Sequence, residues 1–183
     1  AEKFMDKTYG EKIIDDIYEK ILKSKQNIVL TGMPGCGKST LGKIIAKKTG
    51  REFIDTDNYI ELKTGMHPSH IISTKGIDAF RNIESEAISS LSAKSGCIIA
   101  TGGGAVLKSE NVDFLKKNGK IYFIDRPLKD IVPTDDRPLS SSREELKKRY
   151  DERYDIYCST ADEIIKVTED AEKTAQIICG EYL

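Results

Sequence analysis

The sequence predicts an α/β fold, a three-layer arrangement in which helices cover both faces of a parallel sheet. Three observations predict it. Short apolar runs rich in β-branched residues recur at 27–31, 53–54, 97–101, 121–124 and 164–167. Between them lie segments whose apolar residues repeat every three or four positions, the period of a helix with one buried face. A glycine-rich turn, Gly32 to Gly37, joins the first strand to the helix that follows it.

Each element has its own signal. Residues 11–24 place Ile13, Ile14, Ile17, Ile21 and Leu22 along one helical face. Residues 27–31 form a short buried strand. Residues 38–48 are helical, and Gly50 is a C-cap. Phe53 and Ile54 make the second strand, which ends at Asp55. Helical segments then break near Gly65, Pro68 and Gly76. A long amphipathic helix over 77–93 runs through Phe80, Ile83, Ala87, Ile88 and Leu91. The strand at 97–101 leads into Gly102-Gly103-Gly104. Ser109 is placed as the cap of a helix to Lys117, with Gly119 as its stop. Residues 121–124 are the fourth strand. Residues 126–142 hold three of the five prolines and read as a loop. Ser142 caps a helix from Arg143 to about Ser159, with Glu145 three residues on as in a capping box. Residues 164–167 are the fifth strand, and a last helix follows.

Composition narrows the function. The 183 residues suit one domain, since domains run to roughly 100–200 residues. Lys and Arg total 29 against 30 Asp and Glu, a net charge of −1. That balance lacks the basic footprint that nucleic acid or an anionic membrane requires. No apolar run approaches the roughly 20 residues that span a bilayer. Residues 1–10 carry Lys and Glu where a signal peptide needs an apolar stretch, so a cytoplasmic setting is expected. Cys36, Cys97, Cys158 and Cys179 are far apart and form no CxxC pair. Reduced thiols are expected rather than a zinc site or a disulfide framework. Cys97 and Cys179 lie in apolar runs and are assigned to the core.

Gly32-Met33-Pro34-Gly35-Cys36-Gly37-Lys38-Ser39 fits G-x-x-x-x-G-K-[ST], the phosphate-binding P-loop. The glycines let backbone N–H groups converge on phosphate oxygens with no Cβ in the way. The helix N-terminus adds partial positive charge. Lys38 reaches the β- and γ-phosphates, and the Ser39 hydroxyl ligates Mg²⁺. Gly35, Cys36, Gly37, Lys38, Ser39 and Thr40 are the expected ATP-phosphate contacts. Cys36 is either a thiol activated by the helix N-terminus or a small filler, and filler is favoured. No Asn-Lys-x-Asp guanine signature is present, and the chain is short for a motor or transporter ATPase. A compact small-molecule kinase is the natural class.

The acceptor side rests on three further patterns. Asp55-Thr56-Asp57 ends the second strand, at the carboxyl edge where α/β sheets bind ligands. One carboxylate can hold Mg²⁺ while the other accepts or orients a hydroxyl proton. Alternatively, Asp57 only caps the helix at Asn58. Arg81 and Glu84 share a helix face at i,i+3. They form either a surface ion pair or an arginine fork steadied by a carboxylate. Gly102 to Gly104 form either a plain loop or a backbone that a ligand approaches closely.

Together these residues resemble the shikimate kinase family. The resemblance runs from about Asn27 to the C-terminus. It covers the P-loop, Asp55-x-Asp57, Phe80-Arg81-x-x-Glu84, Gly102–Gly104, Arg137-Pro138-Leu139, Arg153 four residues before Tyr157, and Ala161-Asp162. It implies a P-loop fold with five parallel strands in the order 2-3-1-4-5 and a lid loop. It implies transfer of the γ-phosphoryl group of ATP to the 3-hydroxyl of shikimate, on the route to chorismate and the aromatic amino acids. By the same resemblance, Asp57 binds the shikimate hydroxyls and is the candidate base. Asp55 helps to hold Mg²⁺ beside Ser39. Arg81 and Arg153 grip the carboxylate, and Gly102, Gly103 and Gly104 line the ring pocket. Arg137 arrives on the lid and, with Lys38, stabilises the transferring phosphoryl. Competing readings are a P-loop kinase for another polyol or acid, and a non-catalytic nucleotide-binding relative. The second would be expected to lack Asp57, Lys38 or Arg137.

The chain departs from the family in places. The segment from Asp125 to Arg137 is short, and Arg126 is one replacement for a usual adenine-contacting arginine. Asp155 stands where the family often has proline, and the acidic residue that usually follows the glycine at 76 is displaced to Asp78. Arg149 lies one turn from Arg153 and is placed to share or take over its carboxylate contact. Residues 1–26 precede the expected domain, 27–183, as a helical extension or linker. They are either a helix packed on the core or the tail of a neighbouring module in a fused polypeptide. A monomer is expected, since relatives are often monomeric and no long exposed apolar stripe demands a partner.

Overall fold

The structure, a computed structural model, describes residues 7–131 and 143–182. Arg137, the expected lid and the Ser142 cap lie outside the described residues. Five strands form one parallel sheet: β1 (Asn27–Thr31), β2 (Phe53–Asp55), β3 (Ile98–Ala100), β4 (Gly119–Asp125) and β5 (Glu163–Lys166). Their order is β2-β3-β1-β4-β5, as the resemblance implied. β1 is central and buried at every position, which is why its middle, Ile28-Val29-Leu30, is apolar, while its polar ends Asn27 and Thr31 are hydrogen-bonded to the Lys94 and Tyr122 carbonyls. Val29 pairs with Ile99 on one side and Ile121 on the other.

Helices fill the connections: α1 (Lys7–Lys25), α2 (Lys38–Thr49), α3 (Thr56–Thr64), α4 (Pro68–Lys75), α5 (Ile77–Ser92), α6 (Ser109–Lys117), α7 (Arg143–Thr160) and α8 (Ala171–Cys179). The main core joins the sheet to α2, α6, α7 and α8 through residues such as Leu41, Ile45, Leu115, Tyr157 and Ile178. A smaller cluster of Ile60, Ile71, Phe80 and Ala87 binds α3, α4 and α5 into a unit beside the sheet. That unit forms one wall of the site. On α2, Gly42 admits the Phe53 ring so closely that a Cβ would lie 2.3 Å from its Cε2.

Several element ends differ from expectation. Gly119 opens β4, because its N-terminal pairing with Asn27 extends the ladder; Asn118 ends α6 instead. Ser109 is the first residue of α6. Lys108 occupies the cap position and makes no side-chain cap bond. Gly50 and Gly65 do close α2 and α3 in the left-handed conformation. Gly76 sits between α4 and α5 at φ 86. Cys97 and Cys179 are buried, and all four cysteines are free thiols.

Helix α1 stands away from the core. Residues 11–25 are all exposed, including Ile14 at 66% and Ile17 at 53%. Its apolar stripe is therefore uncovered, contrary to the sequence reading that no such stripe is exposed. Its C-terminal end is tied down. Arg51 donates to the carbonyls of Gln26 and Lys23 at 2.7 and 2.8 Å. Gly96 N–H donates to the Lys25 carbonyl at 2.7 Å. No helix among the described residues is long and apolar enough to cross a membrane.

Candidate active site

The turn after β1 takes positive φ at Gly32, Gly35 and Gly37, at 139°, 81° and 103°. L-residues with side chains resist that region, which explains the glycine spacing. Lys38 folds back over the loop and donates from Nζ to the carbonyls of Gly32 and Met33, both at 2.9 Å. Cys36 is fully buried against Gly32 and Lys38, so it fills space. Arg126 donates from Nε to the Cys36 carbonyl at 3.0 Å and so braces the loop from the end of β4. Gly35, Gly37, Lys38, Ser39 and Thr40 line the cleft that opens here.

The strand-end aspartates divide their work. Asp55 is the N-cap of α3, its Oδ1 accepting from Asp57 N–H at 3.0 Å. Capping thus falls to Asp55, not to Asp57. The other oxygen of Asp55 accepts from Ser39 Oγ at 2.6 Å. These two hard oxygen donors sit side by side beneath the phosphate loop. They suit a cation that takes few protein ligands and completes its shell with water and phosphate, as Mg²⁺ does. No larger His, Cys, Asp or Glu cluster with metal-binding geometry occurs among the described residues. Asp57 presents its side chain to the cleft.

The three glycines after β3 face three different neighbours. A Cβ on Gly102 would lie 2.7 Å from Glu84 Oε1 and 3.1 Å from Asp57 Oδ1. One on Gly103 would lie 2.8 Å from the Pro34 ring in the phosphate loop. One on Gly104 would lie 2.0 Å from Arg81 Nη2. The absence of side chains therefore lets an arginine, two carboxylates and the phosphate loop crowd one short segment. Thr56 fixes that segment, its Oγ1 accepting from Gly102 N–H at 2.9 Å. Arg153 Nη1 donates to the Gly103 carbonyl at 3.0 Å, and Tyr157 O–H donates to the same oxygen.

Arg81 pairs with Glu84 at 2.5 Å. Glu84 is fully buried, so this is no surface pair. Burial raises the Glu84 pKa, and the Arg81 charge opposes the rise. Burial likewise pushes the Tyr157 phenol up to about 12, keeping it a donor. Around these groups lies a cleft of about 530 Å³ that runs from the phosphate loop to Arg81, Arg149 and Arg153.

Of the sequence-derived residues, the structure gathers the P-loop set, Asp55, Asp57, Arg81, Gly102–Gly104 and Arg153 around that cleft. Cys36 is the exception within the loop, buried behind it. Phe80 lines the cleft, whereas Met66 packs against the cluster of Ile60, Ile71, Phe80 and Ala87. Sequence reasoning missed the wall formed by His67, Pro68, Ser69 and Ile72. Its one local signal is a helix start, Pro68 at the first position and His67 as cap. It also missed Thr56, whose contact spans 46 residues.

A parallel sheet of this order, a P-loop, a Ser–Asp oxygen pair and a second pocket holding arginines and a carboxylate define a P-loop kinase of a small molecule. The comparisons narrow the class. A family model described as shikimate kinase matches residues 34–181. A shikimate kinase of Clostridium botulinum (strain Alaska E43 / Type E3) is 46% identical over 145 residues, 77% of this chain and 87% of that one. The shikimate kinase of Acinetobacter baumannii, solved in complex with shikimate, superimposes with a TM-score of 0.81 at 30% identity, covering 90% and 99% of the two chains. That of Aquifex aeolicus gives 0.73 at 32% identity, covering 85% and 95%. The chain belongs to the shikimate kinase family.

Proposed function

We propose that this enzyme transfers the γ-phosphoryl group of ATP to the 3-hydroxyl of shikimate, a step toward chorismate and the aromatic amino acids. The observation that carries this reading is the packing of Gly102–Gly104 against Asp57, Glu84 and Arg81. It brings together, beside the phosphate loop, a carboxylate of the kind that binds hydroxyls and an arginine of the kind that binds a carboxylate, which supports the reading. Shikimate carries hydroxyls and one carboxylate, so it matches both.

Phosphoryl transfer is mostly positioning and charge stabilisation. Asp57 accepts a hydrogen bond from the acceptor hydroxyl and takes its proton as the new P–O bond forms and the bond from the γ-phosphorus to the bridging oxygen breaks, that oxygen leaving on ADP. Lys38 exchanges its loop carbonyls for the phosphate oxygens. Arg137, which lies outside the described residues, is assigned by the family resemblance to the same developing charge. Backbone N–H groups from Gly35 to Thr40 hold the other phosphate oxygens. Arg81, fixed by Glu84, and Arg153, fixed by the Gly103 carbonyl, hold the carboxylate. Arg is the suitable residue there, because its planar fork matches a carboxylate. Ser39 and Asp55 would hold Mg²⁺, which neutralises phosphate charge when bound. Arg126 already braces the phosphate loop, which leaves its guanidinium beside the nucleotide. One chain carries every group named, so a monomer suffices, working in the cytoplasm on small molecules. The catalytic domain begins at Asn27, and the preceding helix is an extension or linker.

A coupled ADP-release assay with ATP, Mg²⁺ and shikimate, with quinate and gluconate as controls, tests the reading. Shikimate-dependent turnover that stops when Mg²⁺ is chelated is expected; turnover on gluconate in its place would overturn the acceptor. Asp57→Asn should lower kcat about 10²- to 10⁴-fold, the usual contribution of a positioned base. ATP binding should stay near normal. Unchanged turnover would remove Asp57 from the mechanism.

A further inference from the structure

Arg149 and Arg153 stand four residues apart on α7, and Tyr157 four further, so the three share one helix face. That face turns toward the cleft. Arg153 and Tyr157 both donate to the Gly103 carbonyl, and Arg149 lines the cleft beside them. The other two guanidiniums are partly engaged: Arg81 with Glu84 and Arg153 with Gly103. Arg149 is different. Its Nε is buried and has no hydrogen-bond partner. Leaving such a donor unpaired is unfavourable, because it has given up water without gaining a partner. Burial, then the Arg153 charge, holds its pKa below the usual arginine value; Arg81 acts in the same sense, and Glu145 and Glu152 oppose it. An arginine stays protonated even so. Three cations thus converge on a space where Glu84 is already committed to one of them.

We propose that Arg149 is a third guanidinium for the carboxylate of the acceptor, donating from Nε and one terminal nitrogen as a fork. The proposal rests on the acceptor reading above and adds to it a specificity residue outside the family motif. The anion supplies the partner that Nε lacks and relieves the repulsion among Arg81, Arg149 and Arg153. An acceptor of the same ring with a neutral amide in place of the carboxylate offers one oxygen to Nε but no second oxygen for the fork, and leaves the repulsion unrelieved.

The test compares shikimate with its neutral carboxamide in the full-length enzyme. Wild-type turnover on shikimate is measured first; its absence defeats the acceptor reading, and this proposal with it. Given turnover, Arg149→Met should raise the KM for shikimate about 10- to 100-fold, the range for a charge-assisted hydrogen bond of about 1.5–3 kcal/mol. The KM for ATP should move less than about twofold, and the loss on the carboxamide, which carries no charge and one acceptor oxygen, should be clearly smaller than on shikimate. Arg149→Lys keeps the charge without the fork and should recover only part of the loss. It also gives the same comparison if the methionine variant folds poorly. Equal losses on both acceptors, or a defect confined to ATP, would overturn the role of Arg149 while leaving the acceptor reading intact.

Discussion

Gly104→Ala isolates Arg81 without touching it. Gly104 has φ −112° and ψ 3°, a conformation alanine can adopt, so the backbone itself is not strained. The added methyl would lie 2.0 Å from Arg81 Nη2, 2.4 Å from Cζ and 2.5 Å from Nη1. Ordinary contact begins near 3.4 Å, so the guanidinium must move by about 1.4 Å. It cannot do so alone, because Glu84 is buried and holds it at 2.5 Å. A misplacement of about 1 Å can cost a hundredfold in rate. We therefore expect kcat/KM for shikimate to fall about 100-fold, near 2.7 kcal/mol, with ATP affinity unchanged. Steady-state kinetics at a temperature well below the melting transition would read it. The double variant Gly104→Ala/Arg81→Ala should be no worse than Arg81→Ala, since both remove one interaction. Additive losses, or a fall of less than about threefold in the single variant, would refute the reasoning.

The neighbouring glycine should fail differently. In Gly103→Ala the methyl meets the Pro34 ring at 2.8 Å and Pro34 N at 3.2 Å, which belong to the phosphate loop. ATP binding by titration calorimetry should weaken more than shikimate binding; the reverse order would contradict the contact. Gly42→Ala tests packing. Alanine in a helix is ordinarily better than glycine by about 1 kcal/mol, but here its methyl enters the Phe53 ring. Overpacking of that kind costs about 1–3 kcal/mol, so thermal unfolding should show a lower Tm. A raised Tm would mean the ring moves aside freely.

The strands and the phosphate loop were legible because their signals are local. β1 is apolar over Ile28, Val29 and Leu30 because it is buried on both faces, and Gly35 and Gly37 stand where positive φ is needed. Asp55 and Asp57 were legible as a pair, but their division was not: either could cap a helix, and only the backbone path gives that task to Asp55. Gly102–Gly104 announced a close approach without saying of what. The answers, Glu84, Pro34 and Arg81, lie about 20 to 70 residues away in sequence, where periodicity carries no information. The same holds for α1: spacing reveals an apolar stripe, whereas what covers it is a matter of tertiary contact.

Lys38 holds two carbonyls of its own loop, and this has a consequence for binding. The anion cradle takes its shape from bonds within the chain, so its ordering entropy is lost on folding and not on nucleotide capture. Capture becomes an exchange of partners at one ammonium group, two neutral oxygens for charged ones. The same side chain is then a strut in the empty enzyme and an electrode in the loaded one.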